Sequence, residues 1–178
     1  MKTITSFLNL TAIGGVLLFS QFANAQKIAQ KTTTITVSGT SPMHDWEMNG
    51  SAATFSGTVN GNAISNATFT VPVKNIKSKK GKTMDNKAYE ALKADKAPNI
   101  SFSAATISVG KSNVTGKLTI AGVSKNVSFP ANVVKKGNAY VIDGTESIKL
   151  SDFGMERPGF MGIKTGDVVT VKVNIIAE

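Results

Sequence analysis

Residues 114–129 constrain the fold more tightly than any other stretch of this chain. Val114, Gly116, Leu118 and Ile120 alternate with Thr115, Lys117 and Thr119; Ala121 and Gly122 supply a tight two-residue turn; and residues 123–129 alternate back. The pattern predicts a β-hairpin with Ile120 opposite Val123, Gly116 opposite Val127 and Val114 opposite Phe129 on an apolar face. Thr119 and Ser124, Lys117 and Asn126, and Thr115 and Ser128 share the wet face. Lys125 is the exception, because the same register sets it opposite Leu118 on the apolar side.

The N-terminus carries Met1 and Lys2, an apolar run of about ten residues, and then Ala23, Asn24 and Ala25. These are the parts of a secretory signal peptide, expected to be residues 1–25, and the run is too short to span a bilayer. Cleavage after Ala25 leaves 153 of the 178 residues, enough for one domain with a real core. Residues 26–32 read as a patternless, mobile leader and residues 33–178 as the folded domain. No cysteine occurs, so disulfides, a lipidated cysteine anchor and a thiol nucleophile are all excluded. Cleavage removes one lysine and leaves 19 basic and 11 acidic residues, a net charge of +8. Such a balance favours anionic lipid headgroups or anionic polymers as neighbours, whereas no nucleic-acid-binding module is recognisable and nucleic acid is not an expected partner.

Alternation elsewhere predicts strands at residues 33–37, 53–59, 67–73, 100–104, 139–142, which residues 146–150 continue or restart, and 169–175. Pro72 lacks an amide donor, so its strand is bulged, at an edge, or ending there. Residues 83–95 predict the one helix, with Met84, Ala88, Tyr89 and Leu92 toward one face. An isolated amphipathic helix in a β chain lays its apolar stripe against a sheet edge or across a barrel opening. The total, about eight strands with one helix inserted midway, fits a closed antiparallel barrel or a sandwich.

Three ordered blocks, residues 83–102, 115–127 and 151–154, resemble the YceI family of periplasmic lipid-binding proteins, and the resemblance spans the whole mature chain. It implies an all-β fold with one inserted helix: an extended, lipocalin-like antiparallel barrel of eight strands. It also implies a hydrophobic channel for a long isoprenoid or another acyl-chain amphiphile, held as cargo rather than as a cofactor, in a periplasmic or secreted protein.

The residues themselves leave the interior open between a tunnel and a filled core. Candidate lining combines small residues, Gly116 among them, with Phe55, Phe69, Phe102, Leu118 and Phe129. Met84, Tyr89 and Leu92 on the helix, and Phe153, Met155, Phe160 and Met161 in an unusually apolar loop, suit either an adaptable lining or ordinary cover over a core. His44 is expected as a structural or mouth residue, and Trp46 either plugs one barrel end or stacks on ligand. Lys125 either snorkels to the rim or points inward at a ligand's polar head, a role open to Arg157 as well. Five lysines within residues 74–82 form a solvated loop or a surface for anionic membrane. One histidine and no cysteine give no catalytic constellation, and His44 with Asp45 is too sparse for a metal, so no enzymatic activity is expected.

Overall fold

The computed structural model describes residues 25–178; the expected signal peptide lies outside the described residues save for Ala25. Twelve strands run in chain order as β1 (Gln26–Gly39), β2 (Trp46–Gly50), β3 (Thr54–Asn60), β4 (Ala63–Pro72), β5 (Ile76–Ser78), β6 (Asn99–Ser108), β7 (Gly110–Ile120), β8 (Val123–Lys136), β9 (Ala139–Lys149), β10 (Gly159–Phe160), β11 (Ile163–Lys164) and β12 (Val168–Ala177). One helix, α1 (Lys82–Ala91), separates β5 from β6. Eight of the strands close a ring in the order β1, β3, β4, β6, β7, β8, β9, β12 and back to β1. Every pairing in it is antiparallel. Closure leaves the ring without a free edge, which is how an all-β chain avoids exposing unpaired backbone.

The β7–β8 hairpin has the register that its alternation predicts, from Ile120 opposite Val123 to Val114 opposite Phe129. Ala121 and Gly122 both take positive φ, 51° and 82°, as a tight hairpin turn requires. On the wet face the hydroxyls of Thr119 and Ser124 meet at 2.8 Å and those of Thr115 and Ser128 at 3.0 Å. Pro72 ends β4 within the ring.

Residues 26–31 are not a mobile leader. They open β1, whose first half pairs with β3 and whose second half, from Ile35, pairs with β2. Ile28 is buried there, and the Gln30 side chain accepts the Phe55 amide at 2.9 Å. The register on β12 shifts between Gln30 and Thr32, and this irregularity breaks the alternation that would have marked the strand in sequence. Helix α1 ends at Ala91, earlier than periodicity suggests; Leu92 still donates to the Ala88 carbonyl at 2.9 Å, but Lys93 turns to φ 54°. The loop after β9 is also ordered: a 3₁₀ turn at Leu150–Phe153 precedes the small β10–β11 hairpin.

The barrel is packed differently along its length. At one end Ile28, Val59, Ile64, Val133, Tyr140 and Ala177 fill the interior. At the other, two smaller clusters line the wall, one around Ile148, Leu150, Phe153 and Val169 and one around Ile35, Met48, Val71 and Ile76.

Candidate functional site

The inward residues of successive strands enclose a cavity of about 590 Å³, within the range of about 300–1,000 Å³ usual for small-molecule sites. Its floor is formed by Phe55, Ile107, Val114, Ile142 and Ile175, just above the filled end. Its wall follows the β12 alternation from floor to mouth, with Ile175, Val173, Val171 and Val169 all facing it. Helix α1 lies across the upper part and contributes Met84, Lys87, Ala88, Ala91 and Leu92, residues one helical turn apart. The cavity ends at exposed Met43 and Ile163, which mark the mouth.

Of the residues singled out in the sequence, Phe55, Phe69, Met84, Leu92, Phe102, Leu118, Phe129 and Met155 line this cavity, and His44 and Trp46 stand at its mouth. Phe102 and Phe129 pack with ring centroids 5.3 Å apart and tilted by 54°. The Trp46 indole donates to the Thr40 carbonyl at 3.2 Å and lies over Gly39, where any Cβ would overlap its ring. Trp46 thus packs into the upper core and presents surface to the cavity as well. His44 closes a short turn in which its backbone carbonyl accepts the Ser41 hydroxyl at 2.8 Å, and its imidazole stays exposed.

The other residues singled out fall elsewhere: Gly116, Tyr89, Phe153 and Met161 are corrected as lining, whereas Lys125 takes the rim position that was one of its two expected places. Gly116 faces inward but does not border the cavity, because the Phe102 ring and the Ser103 carbonyl occupy the place of its missing side chain. Tyr89 sits on the other side of α1, its hydroxyl shared between the Lys74 and Ile76 carbonyls at 3.0 and 3.2 Å, with the Lys77 ammonium 5.1 Å from its ring centroid. Phe153 is core beneath the 3₁₀ turn, not lining. Met161, at the β10–β11 turn, is 86% exposed. Phe160 pairs with Ile163 in the β10–β11 hairpin, and its side chain, expected as lining, lies outside the described residues. Lys125 does stand opposite Leu118, but its ammonium reaches Asp152 at 3.7 Å on the rim rather than entering the cavity. Arg157 is exposed and helps hold the Asp167 carboxyl below its ordinary value, behind the larger effect of two hydrogen bonds from Ser151.

The lysine-rich stretch is partly structural. Ile76 is buried, and β5 pairs with β2. Asp85, the one charged side chain buried among the described residues, accepts the Ser78 amide at 2.7 Å and faces Lys77 at 3.7 Å, which fastens α1 to β5. Lys79 reaches Glu47 at 3.5 Å, and Lys87 donates to the Gly159 carbonyl at 2.6 Å, which ties the helix to the β10–β11 hairpin.

Sequence reasoning missed the charged member of the wall that lies below the mouth. Glu146 continues the inward series Ile142, Gly144, Glu146, Ile148 and borders the cavity. Burial pushes its carboxyl above its ordinary value, partly opposed by the Ser147 backbone amide. That alternation was visible in the sequence, and it would have found this residue.

The sequence matches the family model described as "YceI-like domain" over residues 26–177. The chain belongs to the YceI-like family. No curated protein matches it in sequence. Among solved structures it is similar to Burkholderia cenocepacia BcnA, with TM-score 0.69, 21% identity, and coverage of 82% of this chain and 96% of that one. A polyisoprenoid binding domain from Saccharophagus degradans, implicated in plant cell wall breakdown, gives TM-score 0.69 at 12% identity, with 85% and 97% covered. The Campylobacter jejuni YCEI protein gives TM-score 0.54 at 22% identity, with 99% and 97% covered. These likenesses establish a shared barrel fold. The YceI-like match begins at Gln26, the first residue of β1, in agreement with the pairing of that segment in the ring.

Proposed function

We propose that this YceI-like chain is an exported binding protein that carries one long-chain apolar amphiphile, isoprenoid-like or fatty-acid-like, and performs no reaction of its own. The observation that carries the reading is the cavity itself: about 590 Å³, walled by aliphatic and aromatic side chains, closed below and open at one mouth. An apolar chain entering it would gain roughly 0.8 kcal/mol per buried methylene before ordering costs. A filled-core interaction module would have no use for such a space. The Saccharophagus degradans neighbour is a polyisoprenoid binding domain, which supports the same class of cargo here. Export rests on the signal-peptide pattern of residues 1–25. Among the described residues no group of three or more His, Asp or Glu side chains could hold a metal ion. The test is incubation of the mature protein with a dispersed polyprenol, removal of excess, and organic extraction. Recovery of about one chain per protein supports the reading, and recovery no greater than from a cavity-filled variant such as Val171→Trp contradicts it.

The surface around the mouth favours collection from a membrane. Met43, Met161, Ile163 and Val168 are four of the five large hydrophobic residues most exposed among those described, and all lie at this end. Lys79, Lys80, Lys82, Lys87 and Lys164 lie on the elements around them. Apolar side chains ringed by cations suit the surface of an anionic bilayer. Co-sedimentation with phosphatidylglycerol vesicles but not phosphatidylcholine vesicles, reduced by Met161→Asp, is expected; equal retention by both would remove the membrane from the account.

A further inference from the structure

The cavity wall contains one charge below its rim, and that charge has no ionic partner. Across the sheet, Glu146 pairs with Val171, Val171 with Val37, and Val37 with Met48. All four border the cavity, so Glu146 belongs to a belt that is otherwise apolar. The next belt toward the mouth runs Ile148, Val169, Gly39 and Trp46. Below Glu146 its own strand has Gly144, and the Phe129 ring occupies the space beside that glycine. The other charged residues that border the cavity, Glu47, Lys80 and Lys87, belong to the mouth. Glu47 is already engaged by Lys79 and Asn49, and Lys87 by the Gly159 carbonyl.

An isolated charge in an apolar wall needs water or a partner. The fold supplies water access. The β8–β9 ladder runs only from Lys136 opposite Ala139 to Ala131 opposite Gly144, so residues 123–130 and 145–149 diverge. Glu146 stands at the start of that split, half-buried, with the Ser147 amide beside it. The gap keeps the carboxylate partly hydrated, and the strand's alternation still turns it toward the cavity.

We propose that Glu146 is the head-group selector of the cavity: it accepts a hydrogen bond from a neutral amphiphile ending in a hydroxyl and excludes amphiphiles ending in a carboxylate or phosphate. The inference rests on the binding function proposed above and narrows its ligand class to neutral heads, so that of the fatty-acid-like chains it keeps the alcohols and drops the free acids. A chain bent over the floor at Phe55 and Ile175 could bring its head to the Glu146 belt, one register step inside Trp46. An alcohol there adds a second hydrogen bond to a carboxylate that otherwise has only the Ser147 amide, whereas an anion would meet a like charge with little water between them. The arrangement also resolves a conflict within the molecule. A mouth rich in lysine draws the protein to anionic lipids, and an internal carboxylate keeps those lipids out of the cavity.

The test displaces the neutral fluorophore N-phenyl-1-naphthylamine from the mature protein at pH 8 with 1-hexadecanol or hexadecanoate, which share one chain and differ only in the head. Wild type is expected to favour the alcohol by about tenfold or more, as like-charge exclusion implies. In Glu146→Gln the ratio should shrink to within about twofold, chiefly because hexadecanoate tightens. Glu146→Leu, which matches its neighbours in the belt, should admit hexadecanoate too and weaken the alcohol, so either variant can decide if the other folds poorly. An alcohol-to-acid ratio unchanged from wild type in a folded variant overturns the role of Glu146 and leaves the cavity's function standing. Failure of the fluorophore and both chains to bind wild type overturns the binding function and this inference together.

Discussion

The two ends of the barrel are built from the same alternating strands, yet one is solid and the other hollow. At the solid end Ile64, Val133 and Tyr140 interdigitate with Ile28 and Ala177 from the two terminal strands. At the hollow end the inward residues of β12 and β1 are valines and one isoleucine, and the space they leave is roofed by α1 and the β10–β11 hairpin. Alternation decides which face a side chain takes, whereas side-chain volume and the covering elements decide whether that face becomes core or cavity. Stability should therefore reside at the solid end and binding at the hollow one.

The sharpest way to break this comparison is truncation on both sides of it. Ile64→Ala, at a residue with no exposed surface, should cost about 2–5 kcal/mol in chemical denaturation. Leu92→Ala, on the half-buried roof, should cost no more than about 1 kcal/mol, because its side chain already borders empty space. Equal losses would erase the distinction between the two ends. Gly116→Ala belongs with the larger effects: its methyl would meet the Ser103 carbonyl and the Phe102 ring at the β6–β7 seam, so it should destabilise by about 1–3 kcal/mol.

Asp85→Ala should cost about 1–3 kcal/mol, since it leaves the Ser78 amide without its acceptor. It should also hasten ligand exchange, measured as dissociation of a bound fluorophore, because it unfastens the roof from β5. Val171→Trp should fill the cavity and weaken binding of a long chain at least about tenfold. Its melting temperature should remain near that of the wild type; a collapse of stability would mean that the hollow end is packed after all.

The smallest effect concerns Asp167. Ser151 donates its hydroxyl and its amide to this carboxylate at 2.6 and 2.9 Å, and the bonds hold the carboxyl below its ordinary value of 3.8. The folded state thus favours the ionised form. Its contribution is fully present above the unfolded value and is lost as pH falls through the lower folded value. Asp167→Asn should consequently lower stability slightly at neutral pH and flatten the acid limb of the stability curve. An acid limb identical to wild type would show that this clasp between the 3₁₀ turn and β12 contributes nothing.

Much of the wall was legible in the sequence because a half-buried strand writes its geometry as period-two alternation. The 114–129 hairpin and the β12 valines show this directly. What alternation lacks is depth. Gly116 and Phe153 lie on the correct side of the wall but against neighbours distant in sequence, so they proved to be seam and core rather than lining. Tyr89 failed for a related reason: on a short helix it is one residue from the apolar stripe, and the Lys74 and Ile76 carbonyls captured its hydroxyl. The start of β1 was hidden by a bulge, whereas Glu146 stands in plain alternation with Ile142 and Ile148, and only the packing shows that it borders the cavity. Fold class needs only the periodicity, whereas a list of lining residues needs the packing.

One long apolar chain should occupy the hollow end. Native mass spectrometry of the mature protein after incubation with dispersed polyprenol, in parallel with Val171→Trp, tests it most directly. A single adduct per wild-type chain and a strongly reduced adduct on the filled variant are expected. A bare wild-type mass, or equal adducts on both proteins, would contradict it.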